Sequence, residues 1–188
     1  MYDRIICVTN RKLVDGDFIR RIREIEDIGI SSVILREKDL DESDYEKLAE
    51  SLYSPKLIIH THTNVAKRLG IKRIHLTLSD LEKKRDELVG FTEIGTSCHS
   101  CEDVKEAEKL GASYCLLGHI FDTDCKKGLP GRGLPFLIEV MEQAVIPVYA
   151  IGGISEENIE GVLAAGSDGV ALMSGFMRGE LGWIKKRF

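Results

Sequence analysis

The feature that most constrains this chain is a unit that recurs along it. A helix-like stretch ends on Leu, Ile or Ala followed by Gly, two or three polar or small residues intervene, and a short apolar run begins. The unit occurs at Ile28-Gly29, Leu69-Gly70, Leu110-Gly111 and Ala165-Gly166. Glycine lacks a Cβ and so takes the left-handed conformation that closes a helix, which marks each site as a helix end before a strand. The runs that follow are Val33 to Leu35, Arg73 to Leu76, Tyr114 to Leu117 and Gly169 to Met173. Between successive glycines lies a further run: Leu57 to His60, Glu93 to Ser97, and Val148 to Ile151. With Ile5 to Thr9 these make eight predicted strands.

The intervals carry apolar residues three and four apart, as at Phe18, Ile22 and Ile25 and at Ile159, Val162 and Leu163, the pattern of helices lying one face on a sheet. Strand and helix in alternation predict an α/β chain of one domain, residues 1–188, folded as a compact (β/α)8 TIM barrel. At about 23 residues per unit, where ~250 in all is typical, the helices must be short. An open doubly wound sheet alternates in the same way, but its usual complement of about five or six strands leaves two runs unused. The repeat glycines are spaced by 41, 41 and 55 residues, and the excess falls on the Gly-rich, basic segment 118–133 after the sixth strand. That insertion is where function is expected.

The chain is 43% hydrophobic and 30% charged, as a globular protein requires. Its 26 Lys and Arg against 31 Asp and Glu give a net charge of -5, which argues against a general nucleic-acid or anionic-membrane surface and makes any anion site local. No run approaches the ~18 apolar residues of a membrane span. Met1 to Val8 lacks the basic start and cleavage site of a signal peptide, so a cytoplasmic protein is expected. The five cysteines, at 7, 98, 101, 115 and 125, are odd in number, and Cys7 and Cys115 sit in apolar runs. No disulfide framework is expected.

In a barrel the loops after the strands form the reactive face. The predicted strand ends carry Thr9-Asn10, Arg36 to Asp39, His60-Thr61-His62, His75, Ser97 to Ser100, Gly118-His119, Gly152-Gly153 and Met173 to Gly175, and so include all five histidines. Any one of these histidines alone reads as an ordinary hydrogen-bonded polar residue, and it is their gathering on one face that points to chemistry. Gly152, Gly153, Ser174 and Gly175 follow the seventh and eighth strands, where backbone N–H groups can meet a phosphate with no side chain in the way. Arg36 and Lys38 are two apart and face the same side, toward an anion; the plain alternative is a rim salt-bridged to Glu37 and Asp39. Lys126 and Lys127 either close over a ligand or solvate a loop. Cys98-His99-Ser100-Cys101 has redox or zinc spacing but no second pair. His60-Thr61-His62, completed by His99 and His119, is a stronger metal candidate, and would make a metal-dependent hydrolase.

Taken together, Leu35 to Asp39, Gly95 to Ser100, Gly118 to Gly128, Ala150 to Ile154 and Asp168 to Gly175 resemble the thiamine phosphate synthase/TenI family, in order and over nearly the whole chain. That family is a barrel of this kind handling a thiazole phosphate. Synthases usually carry Gly-Pro after the sixth strand and the TenI branch Gly-His, as in Gly118-His119. Synthases also resemble one another in a Gln-Leu-Arg-x-Lys run, an Asn-Asp pair after the third strand that helps hold magnesium and pyrophosphate, and a Gln after the fourth. Here those positions read Ile34, His60-Thr61 and Leu78.

The resemblance therefore implies a thiazole tautomerase, an isomerase of thiamine biosynthesis that needs no cofactor. It moves a proton from the ring carbon bearing the carboxylate to an exocyclic carbon, giving the aromatic thiazole phosphate. His119 is the expected acid and base, since an imidazole titrates near ~6.5 and can take and return a proton at neutral pH. Gly152, Gly153, Ser174 and Gly175 would hold the phosphate. Arg36, Lys38 and Ser97 would face the carboxylate or ring, and Lys126 would be a further substrate-binding residue. Alternatives are the synthase itself, the metal-dependent hydrolase and a non-catalytic thiazole-phosphate-binding regulator. The last helix ends early for the family at Phe188, which bears on whether a homo-oligomer forms.

Overall fold

Eight parallel strands pair in sequence order and close on themselves, so the predicted runs become the staves of one barrel. They are β1 (Ile5–Val8), β2 (Ser32–Leu35), β3 (Leu57–His60), β4 (Arg73–Thr77), β5 (Glu93–Cys98), β6 (Tyr114–Gly118), β7 (Val148–Ile151) and β8 (Gly169–Leu172). The structure is a computed structural model that describes residues 4–123, 126, 128–179 and 181–187, the side chains of 185–187 excepted. Cys125 and Lys127 lie outside the described residues. The helices are α1 (Phe18–Asp27), α2 (Glu42–Ser51), α3 (Thr63–Arg68), α4 (Leu78–Lys83), α5 (Cys101–Lys109), α6 (Gly133–Met141), α7 (Ile159–Ala164), α8 (Ser174–Arg178) and α9 (Gly182–Arg187). None exceeds ten residues, as the length of the chain demands.

The four repeat glycines, Gly29, Gly70, Gly111 and Gly166, all take positive φ immediately after a helix. Several helix starts are capped by the residue type that competes best for free N–H groups: Asp17, Asp41, Thr77 and Ser100 each accept a backbone N–H three residues on. Such a cap contributes about 1 kcal/mol, which matters for helices this short.

Strand pleating sorts the side chains into two cores. Outward residues such as Cys7, Val33, Leu35, Ile59, Leu117 and Val170 pack under the helices. Inward residues fill the barrel: Ile6, Val8, Ile34, Ile58, Tyr114, Leu116 and Ala171, with Tyr149, Ile151 and Met173 against them. Two of these are tyrosines, and the register sets each beside a glycine: Tyr114 pairs with Gly95, and Tyr149 with Gly169. The rings meet edge to face at 5.7 Å. Below them Arg73 seals the strand N-termini through Glu93 (2.9 Å) and Ser32 (2.7 Å).

Cys7, Cys98 and Cys115 are buried and unbridged. Cys98 lies close to Cys115, on the neighbouring strand, and Cys101 begins α5. The Cys-x-x-Cys spacing therefore does not make a pair, because β5 ends between its two members.

The glycine–tyrosine fit makes a stability prediction. A Cβ at Gly169 would overlap the backbone carbonyl of Arg4 and the Tyr149 ring, and backbone cannot step aside. Gly169→Ala is expected to cost about 2–3 kcal/mol, read as a lower midpoint in urea with unchanged slope.

Candidate active site

The strand C-termini surround a cavity of about 520 Å³. The residues expected to act on a thiazole phosphate border it: Arg36, Lys38, Ser97, His119, Lys126, Gly152, Gly153, Ser174 and Gly175. Its walls are apolar below, with Val8, Ile34, Leu116, Ile151 and Ala171, and polar above.

Arg36 and Lys38 reach the cavity because Glu37, between them, faces the other way. Glu37 is 3% exposed and is fully engaged there. It accepts from Thr9 Oγ1 (2.6 Å), from the Arg11 backbone N–H (3.0 Å) and from the Arg11 guanidinium (3.0 Å), while Thr9 Oγ1 accepts from Arg36 N–H (2.9 Å). Arg11 and Lys12 also take Asp39, at 2.7 and 2.9 Å. The acidic residues of this loop are thus spent on the loop after β1, and the salt-bridged rim weighed for Arg36 and Lys38 does not form. Among the described residues neither cation has an ion-pair partner. The Arg36 charge, more than burial, holds the Lys38 ammonium below its ordinary value, and Lys126 acts in the same direction. Like charges gathered on one cavity without an ion-pair partner favour an anion there.

The histidines divide. His60, His75, His99 and His119 border the cavity, and His62 does not. The chain turns at Thr61, whose φ is +64°, and this breaks the strand alternation. The His62 ring then packs on Tyr45, 4.1 Å between centroids, so the His-x-His pair cannot share an ion. Among the described residues no three His, Cys, Asp or Glu side chains gather to hold a metal. His75 is not at a strand end but in the middle of β4, 2% exposed, with its ring stacked 6.0 Å from that of His60. Its Nε2 lies 3.0 Å from Ser97 Oγ and its Nδ1 3.2 Å from Tyr114 Oη. His99 Nδ1 lies 2.9 Å from the Gly118 carbonyl and so must carry the proton of that bond.

His119 opens the 118–133 segment, which is pinned to β7. Ile120 N–H donates to Ile151 O and Phe121 N–H to Gly152 O, both at 3.0 Å. Gly152 has φ +104°, and a Cβ there would lie 2.5 Å from the His119 Cβ. The glycine pair read as a phosphate grip therefore has a second duty, since His119 rests on Gly152 and the next residues of its loop, Phe121 and Asp122, rest on Gly153. His119 Nε2 approaches the Leu129 and Pro130 carbonyls at 3.2 and 3.1 Å. A carbonyl only accepts, so Nε2 bears the hydrogen and Nδ1 the lone pair.

One charged residue escaped the sequence reading. Asp80, in the first turn of α4, accepts from Thr77 Oγ1 at 2.8 Å, and its negative charge reaches both Lys38 and His60. It lies three residues past its strand, where a survey of strand ends does not look. The Thr77-x-x-Asp80 capping pattern is the signal that marks it.

Burial, then the Arg36 and Lys38 charges, push His60 down to about 3 from an ordinary 6.5. Burial holds His75, fully enclosed, well below its ordinary value as well. The folded chain thus binds fewer protons than the unfolded one between these values, so stability is full above the ordinary value and falls as the pH drops toward 3. His60→Asn is expected to remove roughly 2–3 kcal/mol of the loss seen between neutral pH and pH ~4.5, measured by urea unfolding at each pH.

Residues 5–176 match the family described as Thiamine monophosphate synthase. A thiamine-phosphate synthase of Clostridium acetobutylicum is 34% identical over 183 residues, 93% of this chain and 87% of the relative. A putative thiamine-phosphate synthase 2 of Aquifex aeolicus is 34% identical over 181 residues, covering 93% and 97%. Among solved structures, thiamine phosphate pyrophosphorylase from Pyrococcus furiosus superposes with a TM-score of 0.83 at 28% identity, over 98% of this chain and 91% of the other. These names are those of synthases, the activity that the sequence reading ranked behind the tautomerase, and they do not distinguish the Gly-His branch. The family match over residues 5–176, with relatives 34% identical over more than nine tenths of the chain and the same barrel in a solved relative, makes this chain a member of the thiamine monophosphate synthase family.

Proposed function

We propose that the barrel binds a thiazole phosphate and shifts a proton on it, as a thiazole tautomerase. The observation that carries the reading is the position of His119: it borders the same cavity as Arg36, Lys38 and Lys126, and it rests on Gly152. The phosphate is held by the backbone of Gly152, Gly153, Ser174 and Gly175; Ser174 and Gly175 open α8, where N–H groups have no partner within the helix. Arg36 and Lys38 receive the carboxylate. His119 Nδ1 takes the proton from the ring carbon bearing that carboxylate, and the electron pair moves across the allylic system. The imidazolium returns the proton to the exocyclic carbon, leaving an aromatic ring. Arg36 and Lys38 offset the negative charge that develops between the two steps.

A second reading, the synthase, is favoured by the names of the relatives and by Asp80. It requires departure of pyrophosphate, for which the family uses magnesium. No carboxylate borders the cavity among the described residues, and His60 and Thr61 stand after β3 where the synthase pattern has Asn-Asp. This donor set does not fit a resident magnesium ion.

Supplied with the unisomerised carboxythiazole phosphate, the wild type is expected to produce aromatic absorbance. His119→Ala should slow that by about 10²–10⁴-fold with ligand affinity little changed. Equal rates would remove His119 from the mechanism. Lys38→Ala is expected to weaken binding about tenfold at low salt and less at high salt, by calorimetric titration. Release of pyrophosphate from a pyrophosphate-bearing co-substrate with magnesium, without isomerisation, would establish the second reading instead.

A further inference from the structure

The polar residues beneath the cavity form a chain with a direction. Tyr114 Oη, inside the barrel, meets His75 Nδ1 at 3.2 Å, and His75 Nε2 meets Ser97 Oγ at 3.0 Å on the cavity wall. Among the described residues the Tyr114 hydroxyl has no other hydrogen-bond partner. A phenolic proton buried without an acceptor bears its full desolvation cost, so the hydroxyl must donate to His75 Nδ1. A neutral imidazole carries one proton, which then sits on Nε2 and is donated to Ser97 Oγ. The serine oxygen is occupied as an acceptor on that side, and its own proton is left for the cavity.

We infer that Tyr114 and His75 are positioning residues that fix Ser97 as a hydrogen-bond donor, so that the ligand group facing Ser97 is an acceptor: the carboxylate of the thiazole phosphate. This rests on the function proposed above for the choice of carboxylate; the direction of the chain does not. Burial and the nearby Arg36 charge keep His75 neutral, which the chain requires. The arrangement also separates two ligands that the phosphate grip alone cannot tell apart, a thiazole phosphate with the carboxylate and one without.

The direction is tested on the wild-type protein by ¹⁵N NMR of its histidines. His75 is expected as the Nε2–H tautomer with no titration between pH 5 and 9, and an Nδ1–H tautomer or a titration in that range overturns the inference. The consequence is tested by titrating the aromatic carboxythiazole phosphate and its decarboxylated analogue. Tyr114→Phe and Ser97→Ala should each raise the dissociation constant of the first about tenfold and of the second less than twofold, with the double variant no worse than either. An equal loss for both ligands, or no loss, refutes the assignment of Ser97 to the carboxylate. Failure of the wild type to bind either compound overturns that assignment together with the proposed function, and leaves the direction of the chain to the NMR result.

Discussion

Everything at the mouth of this barrel depends on the two-residue period of a pleated strand in a closed sheet. In a closed ring a side chain points either to the helices or to the interior, with no edge to relax toward. Once Leu35 is buried under the helices, Arg36 must enter the cavity, Glu37 must leave it, and Lys38 must return. The Glu37 carboxylate then finds Thr9 and Arg11 on the adjacent loop, and the two cations are left side by side on one wall of the cavity. Geometry that is purely structural in origin thus concentrates positive charge on one wall of the cavity.

The same period organises the interior by size. A tyrosine ring needs room that only a glycine on the neighbouring strand provides, and the register supplies it twice. Filling the barrel with Tyr114 brings a hydroxyl into a region otherwise lined by Ile, Leu and Ala, and a buried hydroxyl needs a partner. His75 is that partner, and through it a packing choice made deep in the barrel reaches the cavity wall at Ser97. Core and site are continuous here.

Much of this was legible in the sequence. Helix-ending glycines at Gly29, Gly70, Gly111 and Gly166 divide the chain into its units, and every predicted strand lies within a residue or two of the observed one. The cavity residues followed because strand ends in a barrel converge whatever their sequence. What was hidden needs three dimensions. The left-handed turn at Thr61 that sends His62 onto Tyr45 has no glycine to announce it. The capture of Glu37 and Asp39 by Arg11 joins residues 26 and 28 positions apart. The pairing of Tyr114 with Gly95 depends on register, and Asp80 acts from a helix. Family likeness in turn agrees with the barrel, while the residues expected to separate isomerisation from coupling lie on only a few strand ends.

The contact between Gly152 and His119 carries a consequence for how this barrel can change. The proposed phosphate anchor and the proposed acid and base press directly on each other, with no space for one added carbon. A displacement of the backbone at 152–153, including one produced by an arriving anion, is passed to the imidazole without an intermediary. The two therefore vary as a unit: a descendant that kept the anchor but adopted other chemistry would have to rebuild the whole loop after β6, whereas new selectivity can arise one side chain at a time on the opposite wall, at β2 and β5.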